Sequence, residues 1–127
     1  MAIEVYVFDC DGTIIDSGED IADCVNASLK KFGYWQLDTK ELISFTGDGA
    51  KKLVFRALCR STKKRFNLET EYNQKQFELV FNYYFNLYHS NPVLKTHLYA
   101  GIRELLKVLK QKNKRVVLLT NKPIEIA

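Results

Sequence analysis

The sequence predicts an α/β protein built on an open parallel sheet, with a helical insertion after the first strand. Three observations carry this. A short β-branched and aromatic run, residues 3–8, lies at one end of the chain; a second, residues 115–119, lies near the other; between them apolar residues recur at the three-to-four spacing of helices. At 127 residues the chain is one domain by size and can bury roughly two-thirds of its unfolded surface. With 46% hydrophobic and 27% charged residues, two prolines and six glycines, it is no disordered, collagen-like or low-complexity chain.

Taken in order, IEVYVF (residues 3–8) is too short for a helix, and its near-continuous apolarity suits a strand buried on both faces. It ends in DCDGT. Over residues 17–32, Ile21, Val25, Leu29 and Phe32 share one helical face, Glu19 and Asp20 sit at the start and Lys30 and Lys31 at the end, as the helix dipole favours. Asp16 and Ser17 are expected to cap this helix and Gly33 to stop it. A shorter helix over residues 39–45, entered from Asp38, closes before TGDG (46–49), and another runs from 50 to about 60. Residues 69–89 carry Phe77, Phe81, Tyr84 and Tyr88 on one stripe, read as core, with Pro92 shortly after; Trp35 is expected to pack in the same helical region. Residues 101–113 form a last helix on Ile102, Leu105, Leu106 and Leu109, and RVVLL (115–119) a second buried strand running into Thr120. Two parallel strands cannot cover their own edges, so a missing C-terminal segment or a second chain is expected to cover them.

The net charge of +4 is unevenly spread: residues 1–50 carry 3 basic and 10 acidic side chains, residues 51–127 carry 16 and 5. The basic run of Lys51, Lys52, Arg56, Arg60, Lys63, Lys64 and Arg65 holds one aromatic residue, Phe55, and reads as the wet face of an amphipathic helix, not a nucleic-acid surface. The absence of an apolar run of membrane-spanning length, and an N-terminus that turns acidic, predict a cytoplasmic protein with no membrane partner. Three cysteines without C-x-x-C spacing indicate neither a disulfide framework nor a zinc site.

The chemistry concentrates in DCDGT. Asp9 and Asp11 lie two residues apart where a buried strand ends, the position at which open α/β sheets bind ligands. Paired acids call for a hard cation, and Mg²⁺ accepts a few carboxylate oxygens while keeping places for water and phosphate oxygens. Gly12 lets the backbone turn close to a ligand, and Thr13 offers an N–H and a hydroxyl to an anion. A plain Asp-Gly turn is the alternative, but D-x-D-G-T arises by chance at roughly one start in 10⁵.

FDCDGTIIDS (residues 8–17) resembles the first motif of the haloacid-dehalogenase-like phosphohydrolases. Within that superfamily the resemblance is nearest to bacterial phosphoglycolate phosphatases, because TGDGAKKLV (46–54), YAGIRELLKVLK (99–110) and VVLLTNKP (116–123) are similar to its later segments in the same order. The resemblance implies a Rossmann-like parallel-sheet core, incomplete here, over residues 1–15 and 96–127, with an inserted α-helical cap domain over 16–95. It implies a Mg²⁺-dependent phosphomonoester hydrolase in which Asp9 is the nucleophile, Asp11 the general acid and base, and both hold the metal. Thr120 would place its hydroxyl, and Asn121 its backbone N–H, on the phosphoryl group. In the cap loop, Gly47 and Gly49 would allow close approach, with Asp48 and Lys51 near the anionic end of a small metabolite similar to 2-phosphoglycolate.

Two elements of the family pattern lie outside this sequence: a lysine after a third strand and an acidic pair after a fourth. Ala100 also stands where the family usually has proline. The expectation is therefore the N-terminal part of a longer phosphatase. Its rivals are a catalytically inactive interaction module and, within enzymes, a sugar phosphomutase or a pyrophosphatase. Cys10, between two acids that disfavour its thiolate, has no assigned role, and His89 and His97 are read as surface residues.

Overall fold

The computed structural model describes residues 3–62, 71–90 and 94–120. In chain order these form β1 (Val5–Phe8), β2 (Ile15–Asp16), α1 (Gly18–Lys31), α2 (Thr39–Ser44), α3 (Ala50–Thr62), α4 (Glu71–Ser90), β3 (His97–Leu98), α5 (Ile102–Gln111) and β4 (Arg115–Leu118). The predicted helices and both long strands are present within two residues at each end. The short β2 and β3 are too brief to leave a periodic signal.

Helices α1 to α4 make a bundle with its own core. From α1 it takes Ile21, Val25 and Leu29, from α2 Leu42, from α3 Leu53, Val54, Ala57 and Leu58, and from α4 Val80, Tyr84 and Tyr88. The α4 residues recur every fourth position, so one stripe faces α1 and α3, with Tyr84 and Tyr88 stacked at 5.9 Å and Phe77 and Phe81 at 5.8 Å. Of the predicted aromatic stripe, Tyr84 and Tyr88 are core, and Phe77 and Phe81 are half-buried against it. Helix α1 ends as expected at Gly33: with φ at +79°, it lets the Tyr34 amide reach back to the Leu29 carbonyl at 2.9 Å. The turn after it is pinned by the Asn26 side chain, which bonds the amide and the carbonyl of Leu37 at 2.8 Å each. Trp35 does not pack inside: 74% of it is exposed, because its own carbonyl accepts from the buried Ser61 hydroxyl and the ring is left outside.

Strands β1 and β4 pair in parallel, with Val5 opposite Arg115 and Phe8 opposite Leu118, and the ladder continues as the Leu119 amide donates to the Phe8 carbonyl at 2.8 Å. Helix α5 packs on β4, and Leu109 is its buried residue. The expectation that both strands are buried is corrected by exposures of 57% at Val7, 44% at Val117 and 70% at Leu119. A parallel strand is buried only when helices cover both faces and neighbours flank both edges. Among the described residues this sheet has two strands and one helix.

The chain crosses between bundle and sheet twice. It leaves through β2 and returns through β3, and these pair antiparallel, Ile15 opposite Leu98 and Asp16 opposite His97, while the Tyr99 amide donates to the Ile14 carbonyl at 3.1 Å. Both crossings thus form one narrow ribbon beside the end of β1.

Candidate active site

The loop after β1 folds around one carbonyl. The Cys10 oxygen accepts from the amides of Thr13, Ile14 and Ile15 at 3.1 to 3.3 Å, and the Gly12 amide donates to the Ile15 carbonyl at 2.9 Å. Gly12 has φ at +77°, a conformation that costs a residue with a side chain about 1–2 kcal/mol. This curl buries Cys10, leaves Asp9 exposed and half-buries Asp11. The Cys10 amide donates to Asp9 Oδ1 at 2.8 Å, fixing that carboxylate at the mouth of the loop. Asp11 Oδ1 accepts from the Ser17 hydroxyl at 2.5 Å. Ser17 is the residue before α1, but its side chain makes no helix cap. The predicted cap is corrected: the hydroxyl turns to the acid six residues upstream, and Asp16 lies in β2.

Parallel pairing in this register brings Thr120, two residues past Leu118, to the same sheet end as Asp9 and Asp11. Asn121 lies outside the described residues. Thr13 is exposed, and its amide is turned inward onto Cys10 at 3.3 Å. Gly47, Asp48, Gly49 and Lys51 form a separate group at the α2–α3 connection. There Arg56 donates to Asp48 Oδ2 at 2.8 Å and to the Phe45 carbonyl at 3.2 Å, and its hydrogen bond and charge hold the Asp48 carboxyl below the ordinary carboxylate range. The exposed Lys51 and Lys52 agree with the wet face read from the sequence; Lys63, Lys64 and Arg65 lie outside the described residues.

The carboxylate oxygens of Asp9 and Asp11, on one short loop, are of the kind that a hard cation takes. Among the described residues no group of three or more His, Cys, Asp or Glu side chains converges.

One residue of this region has no signature in the sequence beyond helix charge. Asp20, in the first turn of α1, is 3% exposed, and its carboxylate accepts from the backbone amides of Leu94, Lys95 and Thr96 at 2.8 to 3.0 Å and from the Thr96 hydroxyl at 2.6 Å. Lys95 adds an exposed ion pair to Asp23 at 2.8 Å. Burial alone raises the Asp20 carboxyl; the bonds from Thr96, Lys95 and Leu94 outweigh it and hold it below its ordinary value. The unfolded chain therefore takes up this proton first as pH falls. The stability Asp20 contributes is full above the ordinary Asp value of about 3.9 and is lost below it. We expect Asp20→Asn to lower unfolding free energy by about 2 kcal/mol at neutral pH. The deficit should shrink towards pH 3, as measured by urea denaturation at both pH values. Nearby, burial first, then Asp20 and Asp23, push the Cys24 thiol up to about 11, so it is inert near neutral pH.

Residues 6–127 match the sequence model of the haloacid dehalogenase-like hydrolases. The chain belongs to that family. Over 116 residues it is 35% identical to the phosphoglycolate phosphatase of Haemophilus influenzae (strain ATCC 51907), covering 91% of this chain and 50% of the relative. Among solved structures, a predicted phosphoglycolate phosphatase from Haemophilus somnus superimposes with a TM-score of 0.80 at 26% identity, over 97% of this chain and 53% of that one. A Lactobacillus delbrueckii protein does so at 0.88 and 24% identity, over 99% and 58%, a likeness of fold alone. The chain spans about half the length of the curated haloacid dehalogenase-like relatives it matches. An incomplete parallel-sheet core of this family is thus what the sequence predicts and what the fold has. No described helix is long and apolar enough to cross a membrane.

Proposed function

We propose that this chain bears the nucleophile of a phosphomonoester hydrolase acting on small phosphorylated metabolites such as 2-phosphoglycolate. The observation that supports it is the placement of exposed Asp9 and half-buried Asp11 on one tight loop at the carboxyl end of β1, with Thr120 at the same edge. A carboxylate oxygen of Asp9 attacks phosphorus, and the bond from phosphorus to the leaving alcohol oxygen breaks in line. Asp11 gives that oxygen its proton, then takes one from the water that attacks the aspartyl-phosphate; phosphate leaves and both acids return to their starting states. The Thr120 hydroxyl donates to a phosphoryl oxygen. Asp9 and Asp11 would hold Mg²⁺, which when bound offsets the negative charge gathered between carboxylates and phosphate.

Residues 16–95 serve, on this reading, as a cap hinged on the β2–β3 ribbon, with Gly47, Asp48, Gly49 and Lys51 meeting the far end of the substrate. Because Arg56 engages the Asp48 carboxylate, that position contributes its backbone to an anion. The exposed apolar faces of β1 and β4 support a further assignment. A polypeptide equivalent to the other half of the Haemophilus influenzae relative covers them and brings the lysine and acidic pair that the family resemblance implies.

The test is Mg²⁺-dependent phosphate release from an aryl phosphate and from 2-phosphoglycolate, by the chain alone and mixed with that polypeptide. In whichever form is active, Asp9→Asn should reduce release at least about 10³-fold and abolish the covalent phosphate adduct detected by mass spectrometry. Undiminished release in Asp9→Asn would falsify the assignment.

A further inference from the structure

Two side chains at the start of α1 make connections that face opposite ways along the chain. Ser17, at its start, bonds Asp11 in the site loop. Asp20, three residues on, bonds the amides and hydroxyl of residues 94–96, where the chain returns from α4 to β3. Both side chains are buried, at 1% and 3% exposure. Ser17 directly follows β2 and residues 94–96 directly precede β3, and these two strands form one ribbon, joined by Ile15–Leu98 and Asp16–His97 pairing and by the Tyr99 amide on the Ile14 carbonyl.

The bond set at Asp20 fills the acceptor sites of its carboxylate from a single stretch of chain. Four donors from three consecutive residues converge on one carboxylate, so segment 94–96 cannot shift relative to α1 without uncovering several polar groups together. Ser17 shares that rigid helical turn, so its distance from segment 94–96 is set by the same bonds. From this juxtaposition we infer that Asp20 is a positioning residue: by locking the returning crossing to the first turn of α1, it sets where Ser17 holds Asp11 relative to Asp9. The inference rests on the reading of Asp11 as the acid–base group. A displacement of that group by even 1 Å is costly, because proton transfer requires it within hydrogen-bond reach of the leaving oxygen.

The test compares Asp20→Asn, the milder Thr96→Val, Ser17→Ala, and the Asp20→Asn/Ser17→Ala double variant, in the form of the protein active in the phosphate-release assay. In Asp20→Asn, amide hydrogen exchange should accelerate at Lys95, Thr96 and Tyr99 by more than about tenfold beyond any acceleration at Val25, Leu29 and Val80 in the bundle core, which follows the loss of global stability alone. Its kcat should fall about tenfold with KM within about twofold, and the double variant should be no slower than the slower single one, since both residues act along one path. Thr96→Val, which removes one donor, should show the same pattern in smaller degree and carries the test if Asp20→Asn does not fold. Unchanged kcat despite faster exchange at 94–96, acceleration at 94–96 no greater than in the bundle core, or multiplicative effects in the double variant would each overturn the inference. If Asp9→Asn leaves release intact, the phosphatase reading has failed. The positioning inference is then decided by the NMR signal of the Ser17 hydroxyl proton, whose loss in Asp20→Asn supports it and whose retention defeats it.

Discussion

Replacing Asp11 by asparagine should slow phosphate release from an alkyl phosphomonoester by about 10²–10⁴-fold, the usual worth of a positioned general acid and base. The size of the loss should depend on the leaving group. An alkoxide is a poor leaving group and needs the Asp11 proton as its bond to phosphorus breaks; a nitrophenolate leaves without that help. With an aryl phosphate the first step in Asp11→Asn should therefore proceed, and the second, which needs a base to activate water, should stall. Stopped-flow absorbance should show a burst of one phenolate per site and mass spectrometry a persistent adduct at Asp9. Equal slowing of both substrates with no burst would remove Asp11 from the acid–base role.

The second large effect concerns stability and contrasts two apolar residues of similar appearance in the sequence. Leu29 is fully buried in the bundle core, whereas Val117 in β4 is 44% exposed. Leu29→Ala removes buried methyl groups and leaves a cavity, which should cost about 3 kcal/mol, a large share of a domain's total of roughly 5–15 kcal/mol. Val117→Ala should cost less than about 1 kcal/mol in the chain by itself, because its methyl groups already meet solvent. Urea titrations followed by helical circular dichroism should resolve the two. If a polypeptide covering the sheet is then added, the Val117→Ala deficit should grow while that of Leu29→Ala stays fixed.

The bundle was legible because helical periodicity records which face is buried, and its burial is met inside the chain: Val25, Leu29, Leu58 and Tyr84 find their partners within residues 18–90. The strands were legible as strands for the same reason, yet their surroundings were not, since Val7 and Val117 are patterned for cover that the described residues do not give. At the site, Asp9, Asp11 and Gly12 stood out by their spacing alone. Ser17 and Asp20 did not, because a serine and an acid at a helix start have an ordinary explanation in capping and in the helix dipole, and only the three-dimensional path of residues 94–96 reveals another use. Trp35 misled for the opposite reason: its size argued for burial, while its backbone decided its place.

The parallel pairing of β1 with β4 also bears on the order of assembly. Val5 and Arg115 meet only by closing a loop of about 110 residues, an entropic cost on the order of 4 kcal/mol from loop length alone. The helical contacts span far shorter separations and offset their cost as they form, which favours a bundle that condenses first. Once it has, Asp20 and the β2–β3 ribbon bring the two distant segments to one place, and the remaining loops to be closed are only those from Asp11 back to Val5 and from Leu98 on to Arg115. The bundle thus acts as a folding template that converts a pairing about 110 residues apart in sequence into a local one, and β1, although it precedes the bundle in the chain, is the element that must wait.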